Sequence, residues 1–438
     1  MKNRPRGDKI ITECKEAGGA PFSDPPDREE KRLSPLHHNA TEAGKNAASA
    51  PLRARGAVGP SEKEFSMLNE SVLAAPEFSG EPLSIPGRRG WNEADARIHT
   101  PLKAEMGRSA AGRPGYIASE AKNAGVIPIF FATDDNYLPF LAVTLESLRE
   151  NASREYLYRI YVLHSGVSPD YEEKIRRYSE EGFEVSFVDV TERLKGISSL
   201  LHMRDYYTCT TYFRIFIAGM FPQYDKALYL DCDTVVLGDV SALYNYELGD
   251  NLIGGAPCEG VNSFEVYKRY VREVDGLNPD MFFNAGVILM NLKAFREEGF
   301  YESFADLLKK YKFTVIQDED YLNVLCQDRV LQLPRAWNKF PVSRDRLSRE
   351  DLRIVHYGMT WKPWHYRDIP YKEYFWEYAE KTEFYPLIRG IFERFSLADM
   401  RRDMSCESGL QALARGEIAR KDGYFKVYGK RYGNVRKG

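Results

Sequence analysis

The sequence predicts an α/β fold: a mixed, mostly parallel sheet between helices, three layers deep. Two observations carry this. Short apolar runs of strand length alternate with segments whose apolar residues recur at helical spacing, the pattern of a parallel sheet. The 438 residues are 43% hydrophobic and 13% aromatic, ample for a packed core.

The first strand is Val126 to Ala132, a continuous apolar run suited to a strand buried on both faces. A polar turn follows, then a helix from Pro139 to Leu148, with Pro139 in its first turn. The alternation repeats as a strand at Tyr158 to Leu163, a helix at Pro169 to Glu181 and a strand at Phe183 to Val188. Tyr212 to Met220 reads as a buried helix, and Ala227 to Leu230, Asn251 to Ala256 and Gly286 to Met290 read as strands. A helix around Tyr321 to Leu325 and a strand at Arg353 to His356 complete the series. Ligands of open α/β sheets bind beyond the carboxyl ends of strands, which directs attention to the polar residues there.

Length alone suggests two or three domains at roughly 100–200 residues each, but composition does not. Before residue 126 stand 12 of the 23 prolines and only five aromatics, Phe22, Phe65, Phe78, Trp91 and Tyr116. Residues 1–125 are therefore expected to be a disordered leader, or an over-extended start upstream of Met67 or Met106. Residues 126–385 form the expected catalytic domain and 386–438 a basic helical or tail segment. The 61 basic and 64 acidic residues give a net charge of -3, which argues against a nucleic-acid binder. Six cysteines without a C-x-x-C pair read as reduced thiols. The N-terminus has no apolar signal region, and no stretch reaches the roughly 18 apolar residues of a membrane span. A cytoplasmic protein is expected.

The sharpest local signal is Leu230-Asp231-Cys232-Asp233-Thr234. Two carboxylates one residue apart at a strand end can hold a divalent cation with room for phosphate oxygens. The same tripeptide serves equally as turn or capping aspartates. Phosphatases of the haloacid dehalogenase type also carry D-x-D-x-T, but after their first strand, whereas here several strands precede it.

Further motifs accompany it: Thr133-Asp134-Asp135-Asn136-Tyr137, Thr211-Tyr212-Phe213-Arg214, Phe283-Asn284-Ala285-Gly286, Asp318-Glu319-Asp320-Tyr321, and His356-Tyr357-Gly358 with Lys362-Pro363-Trp364. In this order and spacing the chain resembles glycosyltransferase family 8, over roughly residues 126 to 380, and in particular bacterial members that transfer glucose or galactose in lipopolysaccharide biosynthesis. The resemblance implies a GT-A-type nucleotide-sugar-binding fold. It implies contacts from Asp134 and Asn136 to uracil and ribose, with Tyr137 stacked on the base. Asp231, Asp233 and His356 would bind Mn²⁺, with Mg²⁺ as the alternative, and Cys232 would lie against the nucleotide sugar. Lys362 would face the diphosphate, Arg214 would bridge donor hydroxyls and carboxylates, Asn284 and Ala285 would form a donor-sugar contact loop, and Asp318 would bind donor hydroxyls.

Two departures stand out. The position after Asp318 is often Gln in the family but is Glu319 here, a residue that can stabilise developing positive charge or act as a nucleophile. In the run after His356, relatives commonly have Gly in fourth place, whereas this chain has Met359. Residues 400–438 hold ten basic against four acidic residues, with Tyr424, Phe425, Tyr428 and Tyr432 interleaved, a pattern that suits an anionic membrane surface and equally a solvated tail. The expected function is retaining transfer of glucose or galactose from a UDP-sugar to a glycan or lipid-linked glycan acceptor, peripheral to the inner face of the membrane. The alternatives are a D-x-D phosphatase and a non-catalytic UDP-sugar-binding protein.

Overall fold

The computed structural model describes residues 125–195, 197–201, 209–341 and 346–429. The leader, and with it the reading of residues 1–124, lies outside the described residues, as does Tyr432.

Seven strands form the central sheet. In chain order they are β1 (Gly125–Ala132), β2 (Tyr156–His164), β3 (Phe183–Asp189), β4 (Lys226–Leu230), β6 (Ile253–Pro257), β7 (Phe283–Asn291) and β8 (Val330–Gln332). Their spatial order is β3-β2-β1-β4-β7-β6-β8, while β5 (Thr234–Val236) and β9 (Ile354–His356) form a separate two-stranded ribbon. All neighbours pair in parallel except at β7, which runs antiparallel to both β4 and β6. The sheet is thus mixed and mostly parallel, as the alternation predicts. Between β1 and β4 the order of connection reverses, and the crevice at such a point is where open α/β sheets take ligands.

Strand β1 shows how the sequence fits this place. Its interior residues are buried on both faces, yet it contains Pro128, which cannot donate to a sheet ladder. Pairing with β4 begins only at Ile129, so the missing N–H falls before the strand becomes central. One core packs Phe130, Tyr229, Ile288 and Met290 of the sheet against Tyr212, Phe213 and Ile217 and against Phe304 and Tyr321.

The helices used below are α1 (Leu138–Asn151), α2 (Pro169–Arg176), α3 (Glu259–Ser263), α4 (Glu265–Tyr270), α5 (Phe300–Lys310), α6 (Asp318–Leu325), α7 (Lys372–Ala379), α8 (Tyr385–Arg394), α9 (Leu397–Ala419) and α10 (Tyr424–Tyr428). α2 stops five residues short of the predicted Glu181. Tyr178, Ser179 and the Glu180–Phe183 backbone bridge instead turn the chain into β3. The predicted helix at Tyr212 to Met220 is mostly a 3₁₀ helix, Cys209–Phe216, followed by one α turn, Ile217–Met220. Aromatic and β-branched residues dominate that run and favour the α-helix weakly.

Helix α1 is buried from Leu138 to Ser147 and Leu148, polar residues included. Its Thr144 hydroxyl lies 2.9 Å from the carbonyl of Cys232 and 2.7 Å from that of Thr234, the two carbonyls that flank Asp233. One turn on, Ser147 Oγ accepts from the Val236 N–H at 2.9 Å, and Asn151 Nδ2 donates to the Val236 carbonyl at 3.2 Å. Thr144, Ser147 and Asn151 share one helix face, and that face pins the chain between β4 and β5.

The C-terminal aromatics take a different place from that read in the sequence. Tyr424 is buried in the core and the Tyr428 hydroxyl donates to the Lys310 carbonyl at 3.2 Å, because α10 packs inward against the sheet's helical layer. Phe425 and Val427 remain exposed. No helix among the described residues is long and apolar enough to cross a membrane.

Thr144→Val should cost about 1–3 kcal/mol of stability, because it strands a buried carbonyl without a donor at nearly constant side-chain volume. Urea unfolding of wild type and variant reads the difference.

Candidate active site

A cleft of about 1340 Å³, open to solvent, lies beyond the carboxyl ends of β1 and β4. Asp231 follows β4 directly, its N–H donating to the Gly286 carbonyl of β7 at 2.7 Å. The Thr234 hydroxyl closes the turn on the Asp231 carbonyl at 3.0 Å, and Cys232 Sγ lies 3.3 Å from the Ala132 carbonyl. His356 ends the predicted strand, which lies in the β5/β9 ribbon in register with Thr234 and so brings the imidazole over the two aspartates.

His356 Nε2 lies 3.2 Å from Asp233 Oδ1 and 3.7 Å from Asp231 Oδ2. Its tautomer follows from its other nitrogen. Asn338 Nδ2 donates to Asn284 Oδ1 at 2.8 Å, so Asn338 Oδ1 is the atom 2.9 Å from His356 Nδ1 and must accept its proton. In the neutral imidazole Nε2 then presents a lone pair to two carboxylate oxygens, and three such electron-rich atoms repel unless a cation lies among them. Two further observations fit a metal. Asp233 Oδ1 is buried with no hydrogen-bond partner, and a Cβ on Gly286 would lie 2.3 Å from His356 Cε1 and 2.6 Å from Asp231 Oδ2, so the space beside the donors must stay clear. Asp231, Asp233 and His356 each offer one atom, all within 4.8 Å of one another, and can hold a divalent metal.

Lys362 is buried against this group, with Nζ 2.5 Å from Asp233 Oδ2 and 2.7 Å from the Tyr357 carbonyl. Burial alone would raise the Asp233 carboxyl, but Lys362 holds it below the ordinary range. Lys362 therefore already serves as counter-charge to Asp233, and any phosphate it meets shares it. Its ammonium is 5.6 Å from the centre of the Tyr137 ring.

Arg214 organises the other half. It is buried, and it donates to the Ala285 carbonyl, to the Thr211 carbonyl at 2.8 Å and to Asp231 Oδ1 at 3.1 Å, with Asp318 Oδ2 at 3.3 Å. The Tyr229 ring lies beneath its guanidinium at 4.3 Å. Burial pushes the Asp318 carboxyl up to about 6 against the opposing pull of Arg214. Burial and the adjacent Asp318 push Glu319 well above the ordinary carboxylate range. Glu319 Oε1 accepts from Asn284 Nδ2 and from the Ala285 N–H at 3.2 Å, and Oε2 is buried without a partner.

The structure thus gathers Asp134, Tyr137, Arg214, Asp231, Cys232, Asp233, Asn284, Asp318, Glu319, His356 and Lys362 around one cleft. Ala285 contributes backbone only. It and Asn284 belong to β7 rather than to the expected loop, since β7 begins at Phe283. Asn136 is not brought in: it is exposed, and its N–H donates to Asp134 Oδ1 at 3.0 Å, a local turn ahead of α1. Met359, where glycine is expected, has φ of +56°, the left-handed conformation that costs a side chain about 1–2 kcal/mol. The backbone shape is kept although the residue is not. Gln317, just before Asp318, is also left-handed at φ 60° and wholly buried.

Two positions escaped sequence reading. Asn338 carries no signal of its own, since it acts only through Asn284 and His356. Thr144 did carry one, a polar stripe with Ser147 and Asn151 along one face of the helix.

The family model for glycosyl transferase family 8 matches residues 128–368, more than half of the chain. The chain belongs to glycosyl transferase family 8. It is 26% identical to the lipopolysaccharide 1,2-glucosyltransferase of Escherichia coli over 254 residues, covering 54% of this chain and 72% of that one. It is 25% identical to the lipopolysaccharide 1,3-galactosyltransferase of Salmonella typhimurium, covering 59% and 80%. Among solved structures, the galactosyltransferase LgtC in complex with donor and acceptor sugar analogs is 28% identical, with a TM-score of 0.50 over 59% of this chain and 96% of LgtC. This glycosyltransferase shares the GT-A architecture with LgtC, and the family match ends before α7.

Gly286→Ala should abolish Mn²⁺ binding while the protein remains folded, because the added methyl would occupy the space between His356 and Asp231. Titration calorimetry with Mn²⁺ reads the loss, and Gly219→Ala, where a Cβ meets nothing, should bind as wild type does.

Proposed function

We propose that this glycosyltransferase transfers glucose or galactose from a UDP-sugar to a glycan or lipid-linked glycan, with a divalent cation and with retention at the anomeric carbon. The observation that carries the reading is the adjacency, in one cleft, of the Asp231, Asp233 and His356 donors with the Arg214–Asp318 pair and Glu319. The family relatives that act on lipopolysaccharide support the acceptor class. The imidazole donor favours Mn²⁺, with Mg²⁺ as the alternative.

In the reaction the bond between the anomeric carbon and the β-phosphate oxygen breaks, a bond to an acceptor hydroxyl oxygen forms, and the acceptor proton leaves on the departing phosphate. A cation held by Asp231, Asp233 and His356 would neutralise charge that develops on the diphosphate. Lys362 adds positive charge on the same side. Asp134 and Tyr137, at the end of β1, suit the uridine, a carboxylate for the uracil N–H and an aromatic ring for the base. Arg214 and Asp318 hold sugar hydroxyls, and Arg214 aligns Asp231 with Asp318.

For Glu319 we favour charge stabilisation over covalent attack. Asn284 and the Ala285 N–H fix one of its oxygens, and burial with Asp318 favours its protonated form, in which it is a poor nucleophile. The phosphatase reading fares worse, since the family model that matches is that of a glycosyl transferase, and Asp231 Oδ1 is held by Arg214 and the Tyr229 hydroxyl. Membrane contact, on the inner face, would rest on exposed charge such as Arg401, Arg402 and Arg415 rather than on Tyr424.

Mn²⁺-dependent UDP release from UDP-glucose or UDP-galactose should be measurable for wild type and fall at least about 100-fold in Asp231→Asn. Hydrolysis of simple phosphate esters without UDP release would overturn the proposal. Glu319→Gln should keep transfer within about tenfold of wild type, with the anomeric configuration of the product retained by NMR. Loss of about 1000-fold or more would assign Glu319 a covalent role.

A further inference from the structure

Beyond the donor half, the cleft has a second wall. Helix α9, which lies after the family match, places Cys406, Glu407 and Leu410 on the same cleft as the metal donors. Leu410 joins Cys258, Val261, Tyr267, Val315 and Ile316 in one apolar cluster, with Met359 packed against it. This cluster adjoins the sugar-holding residues. Ile316 stands two positions before Asp318, and burial together with the nearby Glu319 carboxylate pushes up the Cys258 thiol. Ala132, Thr133 and Asp134, proposed above for the uridine, line the same cleft.

On the α9 wall Glu407 is the single charged group among the described lining residues. Its Oε1 accepts from the Tyr267 hydroxyl at 2.9 Å and from Gln411 Nε2 at 3.3 Å, which fixes the carboxylate, while Oε2 makes no such bond among the described residues. An apolar wall with one positioned carboxylate matches a neutral pyranose. The ring's C–H groups pack on apolar side chains, and its hydroxyls donate to a carboxylate. An acceptor bearing its own carboxylate or phosphate would bring a second negative charge beside Glu407.

We infer that α9 and α4 form the acceptor subsite, and that Glu407, held by Tyr267, selects a neutral pyranoside over an anionic one. This rests on the donor reading above. The subsite sets which hydroxyl meets the anomeric carbon, and it belongs to this chain's C-terminal helices rather than to the family-matched region.

The test uses the full chain with Mn²⁺ and whichever of UDP-glucose and UDP-galactose turns over. The acceptors are p-nitrophenyl β-D-glucopyranoside and p-nitrophenyl β-D-galactopyranoside, against p-nitrophenyl β-D-glucuronide. Wild type should prefer a neutral glycoside to the glucuronide by at least about tenfold in kcat/KM. Glu407→Gln should raise KM for the neutral acceptor about tenfold and shrink the discrimination, with kcat and donor KM moving less than about threefold; Glu407→Asp should recover part of the affinity. A purely structural role would instead change kcat and donor KM together. Equal use of the glucuronide, an unchanged acceptor KM in Glu407→Gln, or UDP release that no p-nitrophenyl glycoside stimulates would overturn the subsite while leaving the donor reading intact. Absence of UDP release from both donors in wild type would overturn both.

Discussion

The guanidinium of Arg214 is buried where Asp231, Asp318 and the carbonyls of Thr211 and Ala285 converge on it. Asp231, Asp233, Asp318 and Glu319 share one cleft, and so many carboxyl groups brought together out of water would repel and protonate. Arg214 and Lys362 offset this from opposite sides, one beside Asp231 and Asp318, the other on Asp233. What the two cations leave uncompensated is visible in the carboxyls themselves. Asp318 is pushed up to about 6 and Glu319 well above the usual range, mainly by burial. Such a site is poised for added positive charge, from a cation at the donor set or from a reacting anomeric centre.

The reversed strand β7 couples the two halves. Because it runs against β4, its first residues lie at the same edge as the last residues of β4, and Gly286 pairs with Asp231 there. From this position Asn284 reaches Glu319 with its amide and accepts from Asn338 with its carbonyl, while Asn338 accepts from His356. One line of hydrogen bonds therefore runs from the His356 imidazole to the Glu319 carboxyl. The tautomer of one end and the orientation of the other are set together.

Behind α6 lies a second buried carboxyl pair. Asp320 accepts from the Tyr270 hydroxyl and the Ile316 N–H, both at 3.0 Å, and both oxygens of Asp275 lack a partner outside the pair. Burial raises both carboxyls, Asp320 to about 8, and the neighbouring Asp320 raises Asp275 further. With the left-handed Gln317 the pair fixes the first turn of α6, from which Asp318 and Glu319 project. Strain and buried acids accumulate where orientation matters.

The order of strands and helices was legible from residue 126 onward, because burial on both faces of a parallel sheet demands continuous apolar runs and the intervening helices show their 3.6-residue spacing. Residues that act at strand ends, Asp134, Asp231 and Asp233, could be read the same way, since their chemistry follows from their own position in the chain. What the sequence could not determine is what long-range pairing decides. The direction of β7 turns an expected loop at Asn284 into a strand start, the β5/β9 ribbon rather than the main sheet delivers His356, and the exposure of Asn136 removes it from the cleft. Asn338 and Glu407 acquire meaning only through partners 54 and 140 positions away. Local periodicity encodes which face of an element is buried, but which elements meet is set by packing across the whole domain. Here that packing alone brought a C-terminal helix to the cleft.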